Sequence, residues 1–124
     1  MNLRKIQDTI IKIVKNEFQA IVEDSELCEV SCETYECGLM LTLDRGAKYC
    51  DIDKDWENEI QDMVDADFVR LSEKYRPLLR KIELYLGSDK VEKFLKKENK
   101  KKEIFAYFEI DSKKGWFQLI VAFK

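Results

Sequence analysis

Apolar residues recur at steps of three and four along the first stretch of the chain. Leu3, Ile6, Ile10, Ile13, Val14, Phe18, Ile21 and Val22 form one stripe, while Lys5, Asp8, Lys12, Lys15 and Glu17 fall mostly elsewhere. That period predicts an amphipathic helix from Asn2 to about Val22. The pattern then changes to alternation. Cys28, Val30 and Cys32 interleave with Glu29, Ser31 and Glu33, as in a half-buried strand. A second run, about Glu36 to Leu43, ends in the turn chemistry of Asp44-Arg45-Gly46. A short third strand is expected near Lys48–Ile52.

Helical spacing returns at Asp53, a good N-cap. Trp56, Ile60, Met63, Val64, Leu71 and Tyr75 mark one side of a long helix, with Phe68 at its edge. Pro77 should break that helix and open another, whose inner face is Leu78, Leu79, Ile82 and Leu86. Gly87-Ser88 separates it from a lysine-rich helix, Asp89 to about Asn99, with Val91, Phe94 and Leu95 inward. Two aromatic and β-branched runs, Glu103–Ile110 and Trp116–Phe123, flank Asp111 to Gly115 and predict a C-terminal hairpin. Trp116–Phe123 is apolar at nearly every position, which suggests a central strand covered on both faces. The expected fold class is α+β: an N-terminal helix, an antiparallel sheet of four to five strands, and two to three helices inserted before a C-terminal β-hairpin. At 124 residues the chain is expected to be a single domain, 1–124.

Composition changes the picture mainly through charge. Charged residues make up 38% of the chain, well above the usual ~25%. The net charge is only −3, but it is unevenly spread. Residues 1–22 carry +2, residues 23–67 carry −12 and residues 68–124 carry +7. Lys93, Lys96, Lys97, Lys100, Lys101, Lys102, Lys113 and Lys114 supply much of the last figure. Direct nucleic-acid binding is not expected, because the whole chain is acidic and residues 85–124 contain no Arg fork. No apolar run approaches the ~20 residues of a membrane span. The N-terminus has charges within its apolar stretch and no small-residue cleavage site, so a cytoplasmic location is expected.

Candidate chemistry is sparse. The chain has no His, which removes the usual general base and the commonest metal ligand. Asp51, Asp53 and Asp55 resemble the start of an EF-hand loop, but Trp56 stands where that loop needs Gly and Asp62 where it needs Glu. Cys28, Cys32, Cys37 and Cys50 lack the paired spacing of a zinc site and read as small buried hydrophobes. No phosphate loop or nucleophile motif is present. No cofactor, no metal and no enzymatic activity are expected.

The acidic stretch is the clearest functional signal. Asp55, Glu59, Asp62 and Asp65 lie away from the apolar stripe of their helix and would form a ridge, extended by the outward Glu residues of the first strands if those elements are neighbours. Such a ridge captures a basic partner, although solubility alone also accounts for a charge run. Asp51 belongs to the same stretch, and Tyr35 or Tyr49 would supply an aromatic anchor. Asp67 falls inside the apolar stripe, so it should pair with a base from the C-terminal segment or mark a kink. The function expected is that of an immunity-type protein, which neutralises a bacterial toxin such as a nuclease by capping its basic surface. The alternatives are a phage-type inhibitor mimicking nucleic acid and a dedicated chaperone or adaptor. A small enzyme with a carboxylate site ranks below them.

Overall fold

The computed structural model describes residues 2–46, 57–98, 104–111 and 114–123, with side chains for all of these except residues 57–60 and 98. The elements run α1 (Leu3–Val22), β1 (Glu29–Tyr35), β2 (Gly38–Asp44), α2 (Glu57–Lys74), α3 (Arg76–Leu86), α4 (Asp89–Glu98), β3 (Ile104–Asp111) and β4 (Trp116–Phe123). This is the expected α+β order. The strands form one antiparallel sheet, β1-β2-β4-β3. The strand expected near Lys48–Ile52 and the helix start at Asp53 lie outside the described residues.

Local chemistry sets the element ends. Asn2 caps α1 by accepting from the Lys5 N–H at 2.9 Å, which satisfies a donor that has no partner within the helix. Pro77 sits in the first turn of α3, where its missing N–H costs nothing. Glu36 and Cys37 form the two-residue connection from β1 to β2. Gly38 follows at a positive φ of 148°, and a Cβ there would lie 1.9 Å from the Val121 carbonyl oxygen. Only glycine lets β4 approach that closely.

The helices pack on one face of the sheet. Leu39, Leu41 and Leu43 of β2 and Phe117, Leu119 and Val121 of β4 are each at most 2% exposed. They meet Ile6, Ile10 and Val14 of α1, Leu71 of α2, Ile82 of α3 and Val91 of α4. Phe117 is the hub. Its ring lies 4.9 Å from Phe108, 5.9 Å from Tyr75 and 6.2 Å from Phe68, and burying such a side chain contributes about 1.5–3 kcal/mol.

Four expectations need correction. Cys28, Cys32 and Cys37, expected as small buried hydrophobes, are exposed, because they lie on or beside the edge strand β1. Phe18 and Val22 flank the inner line of α1 and are exposed, because a helix lying on a sheet buries a narrower stripe than the spacing alone suggests. Met63 is likewise 50% exposed, and the inner line of α2 runs through Val64, Phe68, Leu71 and Tyr75 at its end. Finally, β4 is covered on one face only. It is central in the sheet, yet Trp116, Gln118 and Ile120 alternate half-exposed with the buried Phe117, Leu119 and Val121.

Candidate functional site

Strand parity assigns the other face of the sheet, on which none of the described helices packs. Register places Glu29, Ser31, Glu33 and Tyr35 of β1 opposite Asp44, Thr42, Met40 and Gly38 of β2. The same rows continue through Trp116, Gln118, Ile120 and Ala122 of β4 to Asp111, Glu109, Tyr107 and Phe105 of β3. Paired residues in a sheet share a face. The open face is therefore a field of Met40, Ile120, Tyr107, Phe105 and Trp116 with carboxylates set among and around them.

One end of this face is concave. Glu29, Glu33 and Asp44 surround a cleft of about 440 Å³ with Trp116 in its wall and Ser31, Met40 and Thr42 in its lining. Gln118 Nε2 fixes the lining by donating to Thr42 Oγ1 at 3.3 Å and to Met40 Sδ at 3.2 Å. Lys114 lies over the Trp116 ring, 4.4 Å from its centroid. Tyr35 donates its hydroxyl proton to the Glu33 carboxylate, and that bond pushes its pKa up. Glu29, Glu33, Asp44 and Glu109 make no ion pair with any described base.

A second group of acids behaves differently. Asp67 accepts from Arg45, whose side chain is 1% exposed, at 2.5 Å, and from Arg70 at 2.6 Å. Arg70 also forks onto Glu26 with contacts of 2.7 and 2.9 Å. Lys74 bridges Asp24 at 2.5 Å and Glu26 at 2.9 Å, and the Tyr75 hydroxyl donates to Asp24 at 2.5 Å. This seam joins the α1–β1 loop and the end of β2 to α2. Burial alone would raise the Asp24 pKa, but hydrogen bonds from Lys74, Tyr75 and the Glu26 N–H outweigh it and hold the carboxyl at about 2. Hydrogen bonds from Arg70 and then Lys74 hold Glu26 at about 2 as well. Asp67 thus answers the sequence puzzle by pairing, both with Arg70 and with a base from outside the C-terminal segment.

The anticipated ridge is divided. Asp62 and Asp65 are exposed on α2, with Gln61 donating to Asp65 at 2.9 Å. Asp51, Asp55 and Tyr49 lie outside the described residues, as does the side chain of Glu59. Tyr35 is exposed but not beside Asp62 and Asp65. It closes the hairpin end of β1, whereas Asp67 ties α2 to Arg45 at the far end of β2. The outward Glu residues of β1 do not extend the α2 ridge, because they face away from the helices.

Comparison with protein-family models, curated proteins and solved structures gives no match. The spacing rules passed over Met40, Trp116, Ile120, Tyr107 and Glu109 as surface residues. Their strict alternation with Leu41, Phe117, Leu119, Ala106 and Phe108 is the signal that could have placed them together.

Other features offer less. A cavity of about 260 Å³ lies between Ala20 and Ile21 of α1 and Pro77 and Leu78 of α3. Its polar groups already serve each other, Asp24 with Lys74 and Tyr75, and Glu17 with Lys81. Among the described residues no three His, Cys, Asp or Glu side chains could share a metal ion. No described helix is long and apolar enough to cross a membrane.

Proposed function

We propose that this protein is a binding module of the immunity type, which neutralises a bacterial toxin by laying the open face of its sheet on a basic surface, as on a nuclease. The observation that supports this reading is the composition of that face. Met40, Ile120, Tyr107 and Phe105 gather toward the β1–β2 turn, Trp116 stands at the other end, and Glu29, Glu33, Asp44 and Glu109, which pair with no described base, lie beside them. Protein interfaces concentrate binding energy in such aromatic anchors, while charges set partner choice and speed of encounter. The uneven charge of the chain adds to it, since the acidic stretch supplies Glu29, Glu33 and Asp44. Asp62 and Asp65 on α2 assist steering at longer range.

The test compares three baits: the wild type, Glu29→Lys/Glu33→Lys/Glu109→Lys on the sheet, and Asp62→Lys/Asp65→Lys on α2. Each is offered native-host lysate and a panel of purified basic nuclease domains. The reading expects a basic protein that the wild type holds, that salt releases, that the sheet variant loses and that the α2 variant keeps. Co-expression with the wild type should then relieve that protein's toxicity. Equal retention by all three baits would reject it. A chaperone would tolerate both charge reversals.

A further inference from the structure

The free edge of β1 carries the inference furthest. In an antiparallel sheet, alternate residues of a strand turn both backbone groups toward the same neighbour. Phe123 N donates to Cys37 O at 2.7 Å, which makes the odd-numbered residues of β2 those that bond β4. The even-numbered residues of β2 therefore bond β1, through Glu29, Ser31, Glu33 and Tyr35. The N–H and C=O groups of Val30, Cys32 and Thr34 are left pointing out of the sheet. Among the described residues none of them has a hydrogen-bond partner. They span about 13 Å of extended backbone.

The side chains along that edge state what it would accept. On the open face, Glu29 and Glu33 stand four residues apart, beside the cleft. On the other face, Val30 is half-buried and Cys32 and Thr34 are small. Cys32 is exposed, and the charge of Lys15 of α1 reaches its thiol. An incoming strand would thus meet negative charge on one face and small side chains beside a lysine on the other. A second copy of β1 would bring carboxylates against carboxylates, so the edge is defended against itself. The β3 edge is different, since Phe105 and Tyr107 rather than carboxylates flank its first half.

We infer that the basic partner of the previous section presents an extended segment that adds to the free edge of β1 as a further strand. Its lysine or arginine residues fall at alternate positions, over Glu29, Ser31 and Glu33. Its intervening residues are small or apolar. The inference rests on the binding-module reading and specifies how the partner is gripped: backbone hydrogen bonds give affinity, and the alternating charge gives register.

Amide hydrogen exchange on the full chain tests this with a short synthetic peptide in which lysine alternates with threonine and valine. A peptide of the same composition with its lysines clustered and a backbone N-methylated form of the alternating peptide serve as controls. Only the alternating peptide should slow exchange at Val30, Cys32 and Thr34, by at least about tenfold at saturation. N-methylation should weaken binding by at least about tenfold, because it removes the peptide N–H groups that would donate to the carbonyls of Val30, Cys32 and Thr34, without changing charge. Saturable binding with unchanged exchange at those three amides, or equal binding of the methylated peptide, overturns strand addition and leaves a basic partner on the open face standing. Binding by none of the peptides at millimolar concentration also overturns it, while the bait comparison independently judges the wider reading.

Discussion

Two sets of carboxylates from the same acidic stretch have opposite fates. Asp24, Glu26 and Asp67 are matched by Lys74, Arg70 and Arg45 in a seam that ties α2 to the sheet and to the α1–β1 loop. Glu29, Glu33 and Asp44 face away from the helices and find no described base. The difference shows that net charge per segment is a poor guide to surface charge. A long acidic run can spend part of itself on holding the fold, and only the remainder is available to a partner.

Substitutions separate the two sets most sharply at the buried end of the seam. Asp67→Ala takes away a carboxylate 2.5 Å from a guanidinium that is 1% exposed. Removing one member of a buried pair typically costs about 3–5 kcal/mol, so thermal and denaturant melts should both shift strongly. Asp24→Asn comes next. It keeps the shape but loses the charge that faces Lys74 and weakens the acceptor for Tyr75, at a cost of about 1–2 kcal/mol in urea unfolding.

Acid should reveal the same contrast. Asp24 and Glu26 are held at about 2 in the folded protein, below the ordinary carboxyl values of 3.8 and 4.5. A depressed folded pKa stabilises above the unfolded pKa, and that contribution is lost as pH falls through the folded pKa. Stability of the wild type should therefore decline between about pH 4.5 and pH 2. Glu26→Gln should flatten that decline. The smallest stability effect belongs to the open face, where Glu29→Gln with Glu109→Gln should change unfolding free energy by no more than about 0.5 kcal/mol.

Much of the architecture was legible from spacing. The steps of three and four residues in α1, α3 and α4 are strong, Asn2 and Pro77 mark the starts of α1 and α3, and Asp111 and Gly115 flank the connection between β3 and β4. Strand parity also placed Glu29 and Glu33 on one face, but parity does not say which face the helices choose. That choice leaves Trp116 and Ile120 half-exposed on a strand whose composition suggested burial throughout. The seam was hidden for a different reason. Glu26 meets Arg70 and Asp24 meets Lys74 across more than forty residues of sequence, and no local rule encodes such a pairing. Tyr35 was singled out by its type alone, whereas its separation from Asp62 and Asp65 follows from the sheet order.

The central claim is that the carboxylates of the open face, rather than those of α2, meet a basic partner. Its most direct measurement is the association rate of a captured basic protein, followed across salt concentrations, for the sheet and α2 charge-reversal variants. The sheet variant should associate at least about tenfold more slowly at low salt and lose its salt dependence, while the α2 variant changes modestly. Unchanged association by the sheet variant, or a greater loss in the α2 variant, would contradict it.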